Sequence, residues 1–124
     1  MMNFLLVMVG GAVGSAGRYA VGKTMLAAFG PNYPWGTLAV NLIGGFVMGL
    51  LAGLLARTGG NEHTRLLIGV GVLGGFTTFS AFSLDTVTMI ERGQWGVALT
   101  YVLVSVIGSV LALFGGLYLV RAIA

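Results

Sequence analysis

The sequence predicts an all-α membrane protein with four transmembrane helices in each subunit, and two observations carry this prediction. The chain is 57% hydrophobic and only 7% of its residues are charged, against about a quarter in ordinary soluble domains. Four runs contain no Asp, Glu, Lys or Arg, namely residues 1–17, 24–56, 66–84 and 93–120. A helix needs roughly 20 apolar residues to cross a bilayer core of about 30 Å. Each run therefore accommodates one span within a single transmembrane domain.

Helix-breaking residues and interfacial aromatics indicate where the predicted spans end. The first span is expected to stop at Gly30-Pro31, because proline lacks a backbone donor and disfavours a continuing helix. Trp35 and Trp95 suit the membrane interface, where an aromatic ring can be partly hydrated. Residues 1–9 contain no Lys or Arg, so we interpret them as the start of the first span and not as a signal peptide. The predicted spans cover residues 3–29, 34–57, 65–92 and 95–121.

The composition argues against several classes of protein. The sequence has no cysteine, which excludes disulfides, thiolate metal sites and thiol nucleophiles. Its one histidine, His63, lies in a polar loop and is interpreted as a solvated side chain. The net charge is +3, but the six Lys and Arg residues are scattered singly, so no basic patch for nucleic acid is expected. We therefore expect no enzymatic activity and no nucleic-acid partner.

Glycine recurs at four-residue spacing along the predicted spans. Gly10 and Gly14 form one such pair and Gly71 and Gly75 another, and the second span contains Gly45, Gly49 and Gly53. Small residues at this spacing let helix backbones approach closely in lipid. The simplest interpretation is tight packing in a compact bundle, with more than one chain expected in the assembly.

The distribution of cationic residues predicts insertion in both orientations. With four spans, Arg57, Arg65 and Arg121 share one side of the membrane, and Arg18, Lys23 and Arg92 share the other. Orientation is normally set by an excess of Lys and Arg on the cytoplasmic side. No excess exists here, so two oppositely oriented copies are expected to pair as a dual-topology antiparallel homodimer.

The third predicted span contains a segment with weak helix propensity. Residues 74–80 read GGFTTFS, and paired glycines and adjacent β-branched threonines both disfavour helix. A break in the middle of the membrane is tolerated only where the backbone is buried in protein or lines a cavity. Such a break would free carbonyl oxygens to bind a cation. An unbroken helix with a threonine face is the alternative.

Polar side chains within the spans are candidates for an anion pathway. Asn41, with Thr37 one turn before it, must face protein or water, as structural glue or as a donor to an anion. Arg18 could raise the anion concentration at a pore mouth or anchor the helix at the interface. Phe79 and Phe82 share one face of the third span, beside a stripe formed by Ser80 and Ser83. Tyr101, Ser105 and Ser109 recur at four-residue spacing in the fourth span.

Three motifs together resemble the CrcB/Fluc family of fluoride channels. They are residues 10–19 (GGAVGSAGRY), 36–44 (GTLAVNLIG) and 74–83 (GGFTTFSAFS), and the resemblance extends over essentially the whole chain. It implies a fluoride-selective channel that exports fluoride across the inner (plasma) membrane. It also implies an antiparallel homodimer with two pores and a third helix broken in both subunits.

The resemblance assigns roles to individual residues. The carbonyls of Gly74 and Thr77 would hold a structural sodium ion at the dimer centre. Asn41, Phe79 and Phe82 match pore-lining positions, and Tyr101 and Ser109 match pore positions of the fourth span. Ser80 and Ser83 match part of a polar track. The sequence departs from the family pattern at Ala81, where threonine is frequent, and at Asp85, where glutamate is usual.

Two other functional classes have four-helix members. A dual-topology, proton-coupled multidrug exporter would need a central acidic residue, and Asp85 is the only candidate, although it lies nearer the end of its span than the middle. A purely structural membrane subunit would not need the motif in the third span. The absence of an acidic residue from the first span argues against the exporter.

Overall fold

The computed structural model describes residues 1–123 and contains four long helices that are apolar enough to cross a membrane. They are Met2–Phe29, Trp35–Thr58, Glu62–Glu91 and Trp95–Ile123, called the first to fourth spans below. No strand occurs among the described residues. The prediction of an all-α fold with four spans is therefore confirmed. The observed ends lie within three residues of the predicted ones, with the largest difference at Glu62.

Local sequence explains the end of the first span, the end of the second and the start of the third. Gly30 follows the first span with a φ of 81°, and Gly59 follows the second in a left-handed conformation. Helices commonly end on a left-handed residue, and glycine has no Cβ to oppose that conformation. The Asn61 side chain accepts a hydrogen bond from the Thr64 N–H at 3.1 Å. This contact caps the start of the third span by satisfying one of its free backbone donors.

The first span packs against the third along a seam of glycines. A Cβ added to Gly14 would overlap the Val72 carbonyl oxygen, and one added to Gly71 would lie 2.8 Å from the Gly10 Cα. Side chains at these positions would push the two helices apart. The stripes formed by Gly10 with Gly14 and by Gly71 with Gly75 are therefore packing positions at which helix backbones touch.

A second glycine seam joins the second and fourth spans. A Cβ on Gly45 would lie 2.9 Å from the Ser109 carbonyl oxygen, and one on Gly49 would overlap the Leu113 carbonyl oxygen. Gly116 makes the reciprocal close approach from the fourth span to the second. The second and fourth spans therefore pack with their backbones in close contact.

The third span departs from a regular α-helix in two places. Residues Arg65–Leu73 form a π-helix, a feature that no pattern in the sequence indicated. The helix then ends at Phe76, Thr77 has an extended backbone with a ψ of 160°, and the next helix begins at Ser80. Residues 77–79, called the linker below, thus separate an N-terminal part of the span, residues 62–76, from a C-terminal part, Ser80–Glu91.

Candidate functional site

A cavity of about 540 Å³ lies between the second span, the linker and the fourth span. None of its lining residues, all from the described part of the chain, carries a charge. Six of the predicted site residues line this central cavity: Asn41, Gly74, Thr77, Phe79, Phe82 and Ser109. The structure therefore brings together, from three spans, the amide, aromatic and hydroxyl groups that the sequence analysis singled out separately.

Hydrogen bonds from Thr77 and Thr78 satisfy backbone groups of the helices on both sides of the linker. The N–H and the hydroxyl of Thr77 both donate to the Leu73 carbonyl oxygen, at 3.0 and 2.9 Å. The Thr78 hydroxyl accepts from the Ala81 N–H at 3.1 Å, so its side chain caps the helix that follows. The two threonines that disfavour helix in the sequence therefore complete the ends of the two helices that they separate.

Asn41 binds the linker through both of its side-chain polar atoms. Its Oδ1 accepts from the Thr78 N–H at 2.9 Å, and its Nδ2 donates to the Thr78 carbonyl oxygen at 3.1 Å. Without Asn41, the N–H and carbonyl of Thr78 would lack partners within a membrane span, which costs free energy. A primary amide carries two N–H donors, and this pair uses only one of them. Asn41 thus supports the linker and retains a second donor at the cavity.

Arg18 reaches the third span from the first. Its Nε donates to the Gly75 carbonyl oxygen at 3.0 Å, a contact that the sequence analysis did not foresee. Arg18 also lines a second cavity, of about 380 Å³, together with Lys23 and Thr37. Thr78 lines both cavities. The linker therefore lies between the second cavity, which is lined by two cationic residues, and the uncharged central cavity.

The carbonyl groups of residues 73–77 fall into two sets. Those of Leu73 and Gly75 accept hydrogen bonds from Thr77 and Arg18, whereas no hydrogen bond among residues 1–123 reaches those of Gly74, Phe76 or Thr77. Of these three residues, Gly74 and Thr77 line the central cavity. Unpaired carbonyl oxygens are ligands that a hard cation prefers. The described residues include no cluster of His, Cys, Asp or Glu that could hold a metal, so a cation here would rest on backbone oxygens.

Aromatic side chains form a row that leads away from the linker. The ring centroids of Phe79 and Phe82 are 5.7 Å apart, and those of Phe82 and Tyr101 are 5.2 Å apart. Tyr33 then meets Tyr101 edge-on at 5.5 Å. Tyr33 lies between the first two spans, and burial raises the pKa of its phenol, so its hydroxyl remains a neutral donor. The row joins the central cavity to the end of the bundle.

Tyr101 and Asp85 are paired beside this row. Tyr101 is fully buried, and its hydroxyl donates to Asp85 Oδ2 at 3.1 Å. The aspartate, although shorter than the glutamate usual in the family pattern, therefore still reaches the fourth span.

The predicted hydroxyl groups occupy different environments. Ser83 donates to the Phe79 carbonyl oxygen at 2.9 Å, and Ser80 lies beside the Thr78 hydroxyl. The lining of the two cavities does not include Ser80, Ser83 or Tyr101 in the part of the chain that the structure describes. Tyr101 belongs to the aromatic row and Ser80 and Ser83 lie beside the linker, so these three residues do not join the other predicted residues at the central cavity.

Ser105 is a candidate site residue that the sequence analysis placed in the hydroxyl stripe without assigning it a role. It is only 4% exposed and lines the central cavity. Its hydroxyl has no partner among the described residues, and a buried hydroxyl without one is costly. The four-residue spacing from Tyr101 to Ser109 was the signal that could have identified it.

The sequence matches a family model and several known proteins along nearly its whole length. A family model described as "CrcB-like protein, Camphor Resistance (CrcB)" matches residues 5–117. A protein of Sphingopyxis alaskensis named "Fluoride-specific ion channel FluC" is 57% identical over 122 residues, with 97% of each chain covered. Another of that name, from Mesorhizobium japonicum, is 52% identical over 99% of each chain. The chain is a multi-pass membrane protein, and the match to the family model over nearly its full length shows that it belongs to the CrcB family.

Proposed function

We propose that this protein is a passive, fluoride-selective channel that exports fluoride across the inner (plasma) membrane and so relieves fluoride toxicity. The observation that carries the proposal is the central cavity, because it gathers amide, hydroxyl and aromatic groups and no charged side chain among the described residues. The relatives named fluoride-specific channels support the choice of ion.

The chemistry of the cavity suits a small, strongly hydrated anion. A pore for such an ion must replace water with other donors, and the groups available are the second N–H of Asn41 and the hydroxyls of Ser105 and Ser109. Phe79 and Phe82 add ring edges, which are weakly positive and can face an anion. Because none of these donors carries a full charge, the anion is held without a deep electrostatic trap, as rapid passage requires.

The functional unit that we propose is a dual-topology antiparallel homodimer with two pores. Phe79 is 78% exposed in the single chain although it belongs to the linker, and a second copy would enclose it and the open side of the cavity. The cationic residues are balanced between the two sides of the membrane, which favours insertion both ways. The linkers of the two copies would then meet, as breaks in the third helix in mid-membrane, at the dimer centre.

A structural sodium ion at that centre fits the residues present. The Gly74 and Thr77 carbonyls of each copy would hold it, because the hydrogen bonds of the described residues leave both oxygens unpaired. The ion would supply a fixed positive charge that offsets the cost of holding an anion at this depth.

The geometry gives no support to a proton-coupled exporter. Glu62 and Glu91 stand at the two ends of the third span, which leaves Asp85 as the only acidic residue within a span. Asp85 accepts a hydrogen bond from Tyr101 and does not line the central cavity. A carrier of organic cations would instead need its acidic residue exposed to the substrate.

Ion efflux from liposomes that contain only this protein tests the proposed function. Vesicles loaded with potassium fluoride should release fluoride when a potassium ionophore supplies the counter-charge, and a fluoride electrode records the release. Vesicles loaded with chloride should retain it. Equal chloride release, or fluoride release that depends on a proton gradient, would overturn the proposal.

A further inference from the structure

The contact between Arg18 and Gly75 joins two residues that are 57 positions apart in the chain. Gly75 is the penultimate residue of the N-terminal part of the third span, which ends at Phe76. The last carbonyls of any helix have no partner within the helix. In a membrane such groups must be satisfied by other protein groups, since no water reaches them from the lipid. The Arg18 side chain is the group that satisfies the Gly75 carbonyl.

The glycine seam between the first and third spans makes this contact possible. Gly14 precedes Arg18 by four residues on the same helix face, and a Cβ on Gly14 would lie 2.9 Å from the Phe76 backbone nitrogen. One turn further along, Gly17 leaves room for the Phe76 ring, which a Cβ there would approach to 3.3 Å. The two backbones are therefore close enough for the middle of the arginine side chain, and not only its tip, to reach Gly75.

The geometry of the donor points away from a purely long-range electrostatic role. The donor is Nε, the side-chain nitrogen closest to the Arg18 backbone, and Arg18 is half-buried between the spans. A cation near a helix C-terminus also opposes the negative end of the helix dipole. A charge that served only to attract anions would not need a directed hydrogen bond to the backbone of another span.

We propose that Arg18 is a positioning residue, which caps the Gly75 carbonyl and thereby fixes the linker that borders the central cavity. The inference rests on the proposed channel function and deepens it. When Gly75 is capped and Asn41 holds Thr78, the linker is fixed on both sides. The carbonyls of Gly74 and Thr77 then remain directed by the backbone and are not free to rearrange.

Three substitutions separate this role from attraction of anions by charge. Arg18→Gln removes the charge but places Nε2 the same number of bonds from Cα as the arginine Nε, so the hydrogen bond to Gly75 can be kept. Arg18→Lys keeps the charge, but a methylene group replaces the donating nitrogen. Arg18→Leu removes both the charge and the donor while retaining an apolar stem.

We expect Arg18→Gln to conduct fluoride in liposomes within about threefold of the parent, and Arg18→Leu to lose about tenfold or more. A second readout is amide hydrogen exchange of peptides that cover residues 74–79. Exchange should rise in the leucine variant and stay at the parent level in the glutamine variant, because only loss of the cap opens the linker. Size-exclusion chromatography checks that each variant is assembled.

The possible outcomes distinguish failure of the inference from failure of the proposed function. If the parent protein conducts no fluoride, the channel proposal itself fails. If the parent conducts while the glutamine variant loses as much flux as the leucine variant, or the lysine variant alone retains flux, the charge is what matters and the positioning role is wrong. A leucine variant with parental flux and exchange would show that no cap is needed.

Discussion

Asn41 holds Thr78 by two hydrogen bonds, one to its N–H and one to its carbonyl oxygen. The two residues belong to different spans, and Thr78 lies within the linker, where no helix satisfies its backbone. The Asn41 amide thus pairs with both backbone groups of Thr78, as the backbone of a neighbouring β-strand would. The sequence suggested two roles for Asn41, a contact between helices and donation to an anion. The contact between helices is observed. Donation to an anion is the role that we propose for its second N–H.

Two substitutions of Asn41 should separate its contact to the linker from its effect on the anion. Asn41→Leu leaves both Thr78 groups unpaired, and each buried unsatisfied group costs about 1–3 kcal/mol, so thermal unfolding in detergent should shift to a lower temperature. Asn41→Asp keeps the acceptor for the Thr78 N–H but places a negative charge at the cavity. We expect it to assemble better than the leucine variant and yet to lose most fluoride flux. An aspartate variant that conducts like the parent would remove Asn41 from the pathway.

The glycine seam predicts a clear difference in stability between two neighbouring substitutions. Gly14→Ala adds a Cβ that would overlap the Val72 carbonyl oxygen, and overpacking of this kind costs about 1–3 kcal/mol. Gly11→Ala is the matched control, because its Cβ would meet nothing within 4 Å and alanine favours helix over glycine by about 1 kcal/mol. Thermal unfolding should therefore be lowered in the first variant alone. Equal unfolding temperatures would contradict the packing described here.

Several features of this fold could be predicted from local sequence. The four spans follow from charge-free runs, and the stripe of Gly10 and Gly14 follows from spacing, because both signals are repeated over many residues. The weak helix propensity of residues 74–80 likewise coincides with the linker. These properties depend on residues close together in the chain and on the lipid environment.

The contacts that complete the site could not be predicted in this way. The reach of Arg18 to Gly75 depends on how closely two distant helices pack, and the pairing of Tyr101 with Asp85 depends on the register between the third and fourth spans. The π-helix of Arg65–Leu73 likewise has no mark in the local composition. Such features result from long-range packing, which spacing within one helix does not specify.

Removal of sodium should destabilise the assembled protein if the Gly74 and Thr77 carbonyls hold this ion. Binding to the folded state alone adds about 2.7 kcal/mol of stability at a ligand concentration 100 times Kd, so replacing sodium with a large organic cation should lower the unfolding temperature. Thr77→Val keeps the backbone carbonyl and the shape of the side chain and loses only the hydroxyl. This variant should respond to sodium like the parent. A parent protein that is indifferent to sodium would argue against the ion.

The balance of cationic residues predicts that single charge changes will control orientation. A reporter fused to the C-terminus should be found on both sides of the membrane in about equal amounts, because the topology predicted from sequence assigns three Lys or Arg residues to each side. Arg121→Gln and Arg92→Gln weaken opposite sides, so they should shift the population in opposite directions. One orientation in all molecules of the parent would remove the basis for an antiparallel dimer.

Phe79 and Phe82 allow the sharpest test, because phenylalanine on a membrane helix ordinarily serves only for packing. Replacement by isoleucine keeps most of the apolar volume, and such swaps usually cost less than about 1.5 kcal/mol. Phe79 is largely exposed in the single chain, so its substitution should perturb the fold least. If the ring edges contact the anion, however, isoleucine cannot replace them.

We therefore expect Phe79→Ile and Phe82→Ile each to give a dimer that elutes normally from a size-exclusion column and yet loses about tenfold or more of the fluoride flux, equivalent to roughly 1.4 kcal/mol or more in the barrier. Phe76→Ile is the matched control. Its ring packs near Gly17 and Gly44 and does not line the central cavity, so its flux should fall less. If both cavity variants conduct like the parent, the rings serve only for packing. Fluoride must then pass along Asn41, Ser105 and Ser109 instead.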